Sequence, residues 1–166
     1  MANWPLNGKG VAVAIKISPK VVAVVAIAAV VMIAAAVSLR LSDRTALDSS
    51  VNALKEDLDS DYEVEREHFG DSVTDVSGVW SVRSRSDLSE KIASKAEFAK
   101  ADEDDLRYFK QLVVDAFGSG EALDGYVLYR SERSLGDGSV CNTAPCSIYV
   151  LGRPGSKLSY VGIYKT

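Results

Sequence analysis

Between Lys20 and Arg40 the chain carries no charge: VVAVVAIAAVVMIAAAV from Val21 to Val37, then Ser38 and Leu39. A hydrocarbon layer roughly 30 Å thick takes about 20 residues of helix, and every backbone N–H and C=O inside it must bond within that helix. The run nearly meets this length. Its many Val and Ile residues, mildly unfavourable to helix in water, count for little where lipid forbids any open backbone. Residues 21–39 are therefore expected to form one transmembrane helix in contact with membrane lipid. Residues 1–20 would be a cytoplasmic arm.

The sequence has 166 residues, so roughly 125 remain after the span, enough for one domain with its own core. The net charge of −4 leaves no basic footprint, and no nucleic-acid partner is expected. Lys9, Lys16 and Lys20 precede the span and Arg40, Arg44 and Lys55 follow it, a slight positive-inside bias. The two cysteines, Cys141 and Cys146, lie in CNTAPC, where the spacing can close a small disulfide loop in an oxidising compartment. The expected topology is a single-pass anchor with a cytoplasmic amino terminus and an extracytoplasmic domain. Ala34-Ala35-Ala36 offers the small residues of a signal-peptidase site, so cleavage is the competing reading.

After the span, Leu47, Val51, Leu54 and Leu58 recur as one helical stripe, which predicts a juxtamembrane helix over residues 40–60. Such a stripe has to be covered, either by the domain that follows or by a second copy in a homo-oligomer. Residues 61–166 are expected to be the extracytoplasmic domain. Asp57, Asp59 and Asp61 imitate a calcium loop, but the sixth position is Tyr62 instead of Gly and the twelfth is His68 instead of Glu. The acidic stretch 57–75 thus reads as a solvated linker or edge strand, with no metal.

Alternation predicts strands over Tyr62–Phe69 and Val73–Arg85, the second burying Trp80. Asp87 and Glu90 form a capping pattern before a helix of about 14 residues carrying Leu88, Ile92, Ala96 and Ala99. The strongest amphipathic pattern spans Asp102–Phe117, with Leu106, Phe109, Leu112, Val113, Ala116 and Phe117 on one face and Gly118 as the stop. Three strands follow over Asp124–Arg133, Ser147–Gly152 and Lys157–Lys165. A hairpin centred on Pro154-Gly155 pairs Leu151 with Leu158 and Tyr149 with Tyr160. One face then carries Ile148, Val150, Val161 and Ile163; the other carries Tyr149, Leu151, Leu158, Tyr160 and Tyr164. The fold class is α+β, with two helices on an antiparallel sheet that ends in a three-stranded meander.

The amphipathic helix is expected on the aliphatic face. The other face is then covered either by the first helix or the strands before it, or by a partner, with Tyr149, Leu158, Tyr160 and Tyr164 as the candidate partner-binding surface, because tyrosine brings contact area and a hydroxyl at low entropic cost. No G-x-S-x-G, S-x-x-K or phosphate-binding loop is present, and Gly118-Ser119-Gly120 and Gly136-Asp137-Gly138 read as loop glycines. His68 is the single imidazole, in a charged strand-like stretch, so neither enzyme activity nor a cofactor is expected. The function expected is an anchored interaction domain for another cell-envelope protein, with an extracytoplasmic ligand-sensing domain as the alternative. In plan the chain also resembles a pilin subunit: an N-terminal hydrophobic helix, an α+β head and a late disulfide. Lys16 and Lys20 separate Gly10 from the apolar run and the early glutamate of that family is missing, so the resemblance stops at the plan.

Overall fold

The computed structural model describes residues 18–70, 76–118 and 123–165. What was expected of the arm up to residue 17, of the strand start at Val73 and of Ser119-Gly120 falls outside them. The element order is α1 (Pro19–Asp57), β1 (Glu63–Phe69), β2 (Val76–Arg83), α2 (Leu88–Ala93), β3 (Ala99–Lys100), α3 (Glu103–Phe117), β4 (Val127–Arg133), β5 (Cys146–Gly152) and β6 (Leu158–Lys165). It forms two units, Met1–Leu39 and Arg40–Thr166.

In the first unit the helix is long and apolar enough to cross a membrane, with a mean hydropathy of 2.9 over its most apolar window. Val24, Ile27, Val30, Met32 and Leu39 all point outward, each more than 60% exposed. Among the described residues of the unit none buries them, as a membrane-spanning helix would allow.

In the second unit six strands form one antiparallel sheet in the order β1-β2-β6-β5-β4-β3. The stripe Leu47, Val51, Leu54 and Leu58 is buried in the same core as Trp80, Ile148, Val150, Val161 and Ile163. Residues 40–57 group with the domain, and of the two expected ways of covering the stripe the structure shows burial by the domain that follows. Tyr62 ties the arrangement together, its hydroxyl donating to the Val51 carbonyl at 2.7 Å. Arg133 reaches Asp57 at 2.6 Å from β4.

The Asp87 carboxylate accepts the Glu90 N–H at 3.1 Å, as the capping pattern predicts. The helix it starts nevertheless ends at Ala93, well short of 14 residues. Phe98 then turns into the core and Ala99 pairs with Arg130, so the chain that looked helical becomes an edge strand. Sheet pairing and one buried phenylalanine outweigh the helical propensity of Lys95-Ala96-Glu97, three good helix formers whose preference is worth only tenths of a kcal/mol per residue.

The β5–β6 register also differs from expectation. Leu151 faces Tyr160, Val150 faces Val161 and Tyr149 faces Gly162. The β-turn itself is the expected Arg153-Pro154-Gly155-Ser156, closed by Ser156 N–H donating to the Arg153 carbonyl at 2.9 Å with Gly155 at φ 78°, but the strands pair about a point between Gly155 and Ser156. Each partner therefore shifts by two residues, an even slip that keeps every side chain on its expected face.

Candidate functional site

The face opposite α1 is where the candidate partner-binding residues lie, and the amphipathic helix α3 covers it. Asp102 caps α3, accepting the Asp105 N–H at 2.8 Å, and Glu103, Asp104 and Asp105 complement the helix dipole in the first turn. Phe109 and Val113 of α3 are buried in a second core with Val79, Leu128, Leu151, Leu158 and Tyr160. The expectation that α3 would take the aliphatic face is thus overturned. Ring against ring is the reason: Phe109 stacks on Tyr149 at 5.5 Å between centroids, and Phe117 on Tyr160 at 6.0 Å. Gly162 makes the approach possible, since a Cβ there would stand 2.4 Å from the Phe109 ring.

The four residues read as a partner surface consequently part company. Leu158 and Tyr160 are buried and belong to the core. Tyr149 and Tyr164 stay half-buried at the margin of the helix, their rings edge to face at 5.6 Å. Beside them the structure adds Tyr108, 65% exposed on the outer side of α3. Burial pushes the Tyr164 hydroxyl above its ordinary pKa, and the neighbouring Tyr108 and Tyr149 phenols push it further. That hydroxyl has no hydrogen-bond partner among the described residues.

Arg130 completes the cluster from β4. Its guanidinium lies 5.6 Å from the Tyr149 ring centroid, donates to Asp105 at 3.2 Å and pairs with Glu132 on its own strand. Burial raises the Tyr149 pKa, Asp105, Glu132 and Asp102 add to the rise, and Arg130 opposes it. The patch is thus three tyrosines with one guanidinium and three carboxylates. Tyr108, Arg130 and Glu132 were missed from the sequence, although an aromatic off the apolar stripe of α3 was a signal within reach.

On another flank of α3 a groove of about 580 Å³ is lined by Glu103, Leu106, Arg107, Lys110, Gln111, Val114 and Leu123. Its floor is aliphatic, and Lys110 makes no ion pair among the described residues.

The sulfurs of Cys141 and Cys146 lie 2.17 Å apart, at disulfide distance. Both are buried in the α1-side core. Next to them the Val140 N–H donates to Ser50 Oγ at 3.0 Å, joining this loop to α1. His68 stands on β1, an edge strand exposed along nearly its whole length, apart from the tyrosine cluster. Three of the side chains on β1 bind within the domain: Glu65 pairs with Arg83, Glu67 with Arg44, and Arg66 donates to the Phe117 carbonyl.

No family model, curated protein or solved structure matches this chain.

Proposed function

We propose that this protein is a single-pass membrane anchor whose domain, residues 40–166, stands outside the cytoplasm and docks another protein of the cell envelope through Tyr108, Tyr149 and Tyr164. The observation that carries the reading is Tyr108, 65% exposed beside two half-buried tyrosines and a guanidinium, the one exposed large aromatic among the described residues of the domain. Tyrosine and arginine are the residue types that interfaces concentrate at their anchors. The apolar helix and the cysteine pair support the topology, since a bridged pair persists where thiols are not kept reduced.

A photo-crosslinking side chain placed at Tyr108 in intact membranes, with the same group at Asp59 as control, tests the docking. One discrete adduct from position 108 and none from 59 is expected. Equal adducts from both positions, or none from either, would remove the reading. An impermeant amine reagent on intact cells tests the topology: protection of the domain until the membrane is opened would place it on the inner side.

The α3 groove supports a second reading, a ligand-binding domain, because its volume lies within the range of small-molecule sites and its aliphatic floor meets one unpaired ammonium. Filling it with Leu106→Trp would abolish that binding and leave the Tyr108 adduct unchanged.

A further inference from the structure

We infer that the partner presents a cationic segment, arginine above all, to the Tyr108–Tyr149–Tyr164 patch; this rests on the docking reading above and names its partner class. The first ground is charge. Lys9, Lys16 and Lys20 precede Arg40 whereas every Asp and Glu follows it, so 23 carboxylates in the domain face 16 basic residues, a formal −7. The imbalance is also local: Asp102, Asp105 and Glu132 lie about the patch, and among the described residues Arg130 is the cation bonded within it.

The second ground is geometry. Arg130 already shows how the patch treats a guanidinium, holding it near the Tyr149 ring face with two carboxylates on its N–H groups. That is the combination a planar cation seeks, an electron-rich face plus acceptors at its edge. Arg130 leaves the patch unfilled. Tyr108 has no ring or cation contact among the described residues, and Asp102 spends one oxygen on the Asp105 N–H. A partner's arginine would lie on Tyr108 and share the remaining carboxylate oxygens. An acidic segment would meet repulsion there, and a purely aliphatic one would strand the carboxylates against it.

The test uses the full chain in discs of uncharged-net phosphatidylcholine and a fluorescent dodecapeptide of Arg-Gly-Gly repeats, with a citrulline version of the same shape as control. Saturable binding to the arginine peptide is expected, at least tenfold weaker for citrulline. Tyr108→Ala should weaken it about fivefold, the worth of one exposed cation–π contact of roughly 1 kcal/mol. Glu132→Gln should weaken it by a similar factor, while Asp59→Asn, at an exposed carboxylate outside the patch, should change nothing. The peptide should also suppress the Tyr108 adduct. Equal binding of the citrulline peptide, no binding at all, or equal losses in Tyr108→Ala, Glu132→Gln and Asp59→Asn would overturn the inference, the last outcome marking diffuse charge attraction. An adduct that survives saturating arginine peptide would leave the docking reading standing and end the cationic one.

Discussion

Leu54→Ala is the sharpest probe of how the domain is built, because the helical stripe it belongs to had two ways of being covered. Leu54 has no exposed surface and sits among Val51, Leu58 and the aliphatic face of the sheet. Deleting a fully enclosed leucine side chain costs its transfer free energy plus the cavity left behind, about 3–5 kcal/mol where neighbours cannot collapse. Trp80 and Ile148 in the same core are held by the sheet, so little collapse is available. For a domain of this size each kcal/mol moves the midpoint by about 3–4 °C, and a loss of roughly 10–20 °C follows. The assay is thermal unfolding of the full chain in detergent, read by near-ultraviolet circular dichroism at two protein concentrations tenfold apart. Asn52→Ala, exposed on the same helix, is the control and should shift the midpoint by less than 2 °C. A Leu54→Ala shift as small as the control's would refute the packing, and a shift that grows on dilution would mean that a second copy covers the stripe.

Gly162→Ala should destabilise by about 1–3 kcal/mol in chemical denaturation, since the new methyl meets the Phe109 ring at 2.4 and 2.8 Å and the Tyr164 ring at 2.9 Å; pairing it with Phe109→Leu should recover part of the loss. Burial holds the Tyr62 hydroxyl protonated well above the ordinary tyrosine range, so above about pH 10 the unfolded chain releases a proton that the folded one keeps, and stability falls as pH rises. In Tyr62→Phe that alkaline slope should flatten, at a cost near neutral pH of about 1 kcal/mol for the lost bond to the Val51 carbonyl. Replacing both Cys141 and Cys146 by alanine should cost about 2 kcal/mol for so short a loop, with intact mass under non-reducing alkylation first establishing that the native pair is bridged.

Much of the fold was legible from short-range pattern. The caps at Asp87 and Asp102, the apolar stripe of α3, the burial of Trp80 and the two-faced division of β5 and β6 all follow from side-chain periodicity, which acts over a few residues. What escaped depends on distant partners. The helix expected beyond Ala93 gave way because β4 offered Ala99 a ladder and the core offered Phe98 a place. The hairpin register slipped because the turn Arg153–Ser156 does not lie at the centre of the strand pairing, and the ladder of β6 with β2, from Val76↔Lys165 to Arg83↔Leu158, helps to set which residues pair. An even slip preserves the faces, which is why the division into aliphatic and tyrosine sides survived the error.

The assignment of helices to those faces was legible only in part, and the reason bears directly on the candidate site. Both faces are apolar, so hydrophobicity alone cannot decide which helix goes where; shape does. The α1 stripe is aliphatic, Leu47, Val51, Leu54 and Leu58, and it meets Ile148, Val150, Val161 and Ile163. The α3 stripe carries two phenylalanines, and they find tyrosines to stack on. Gly162 was the overlooked clue, a strand residue with no side chain opposite Tyr149, leaving a ring-sized gap that Phe109 fills. A single helix cannot roof the whole tyrosine face, however. It seals Leu158 and Tyr160 and leaves Tyr149 and Tyr164 at its margin, where its own Tyr108 points outward. The packing that buries Leu158 and Tyr160 therefore also leaves a partly roofed aromatic edge, with carboxylates supplied by the first turn of the covering helix and by β4.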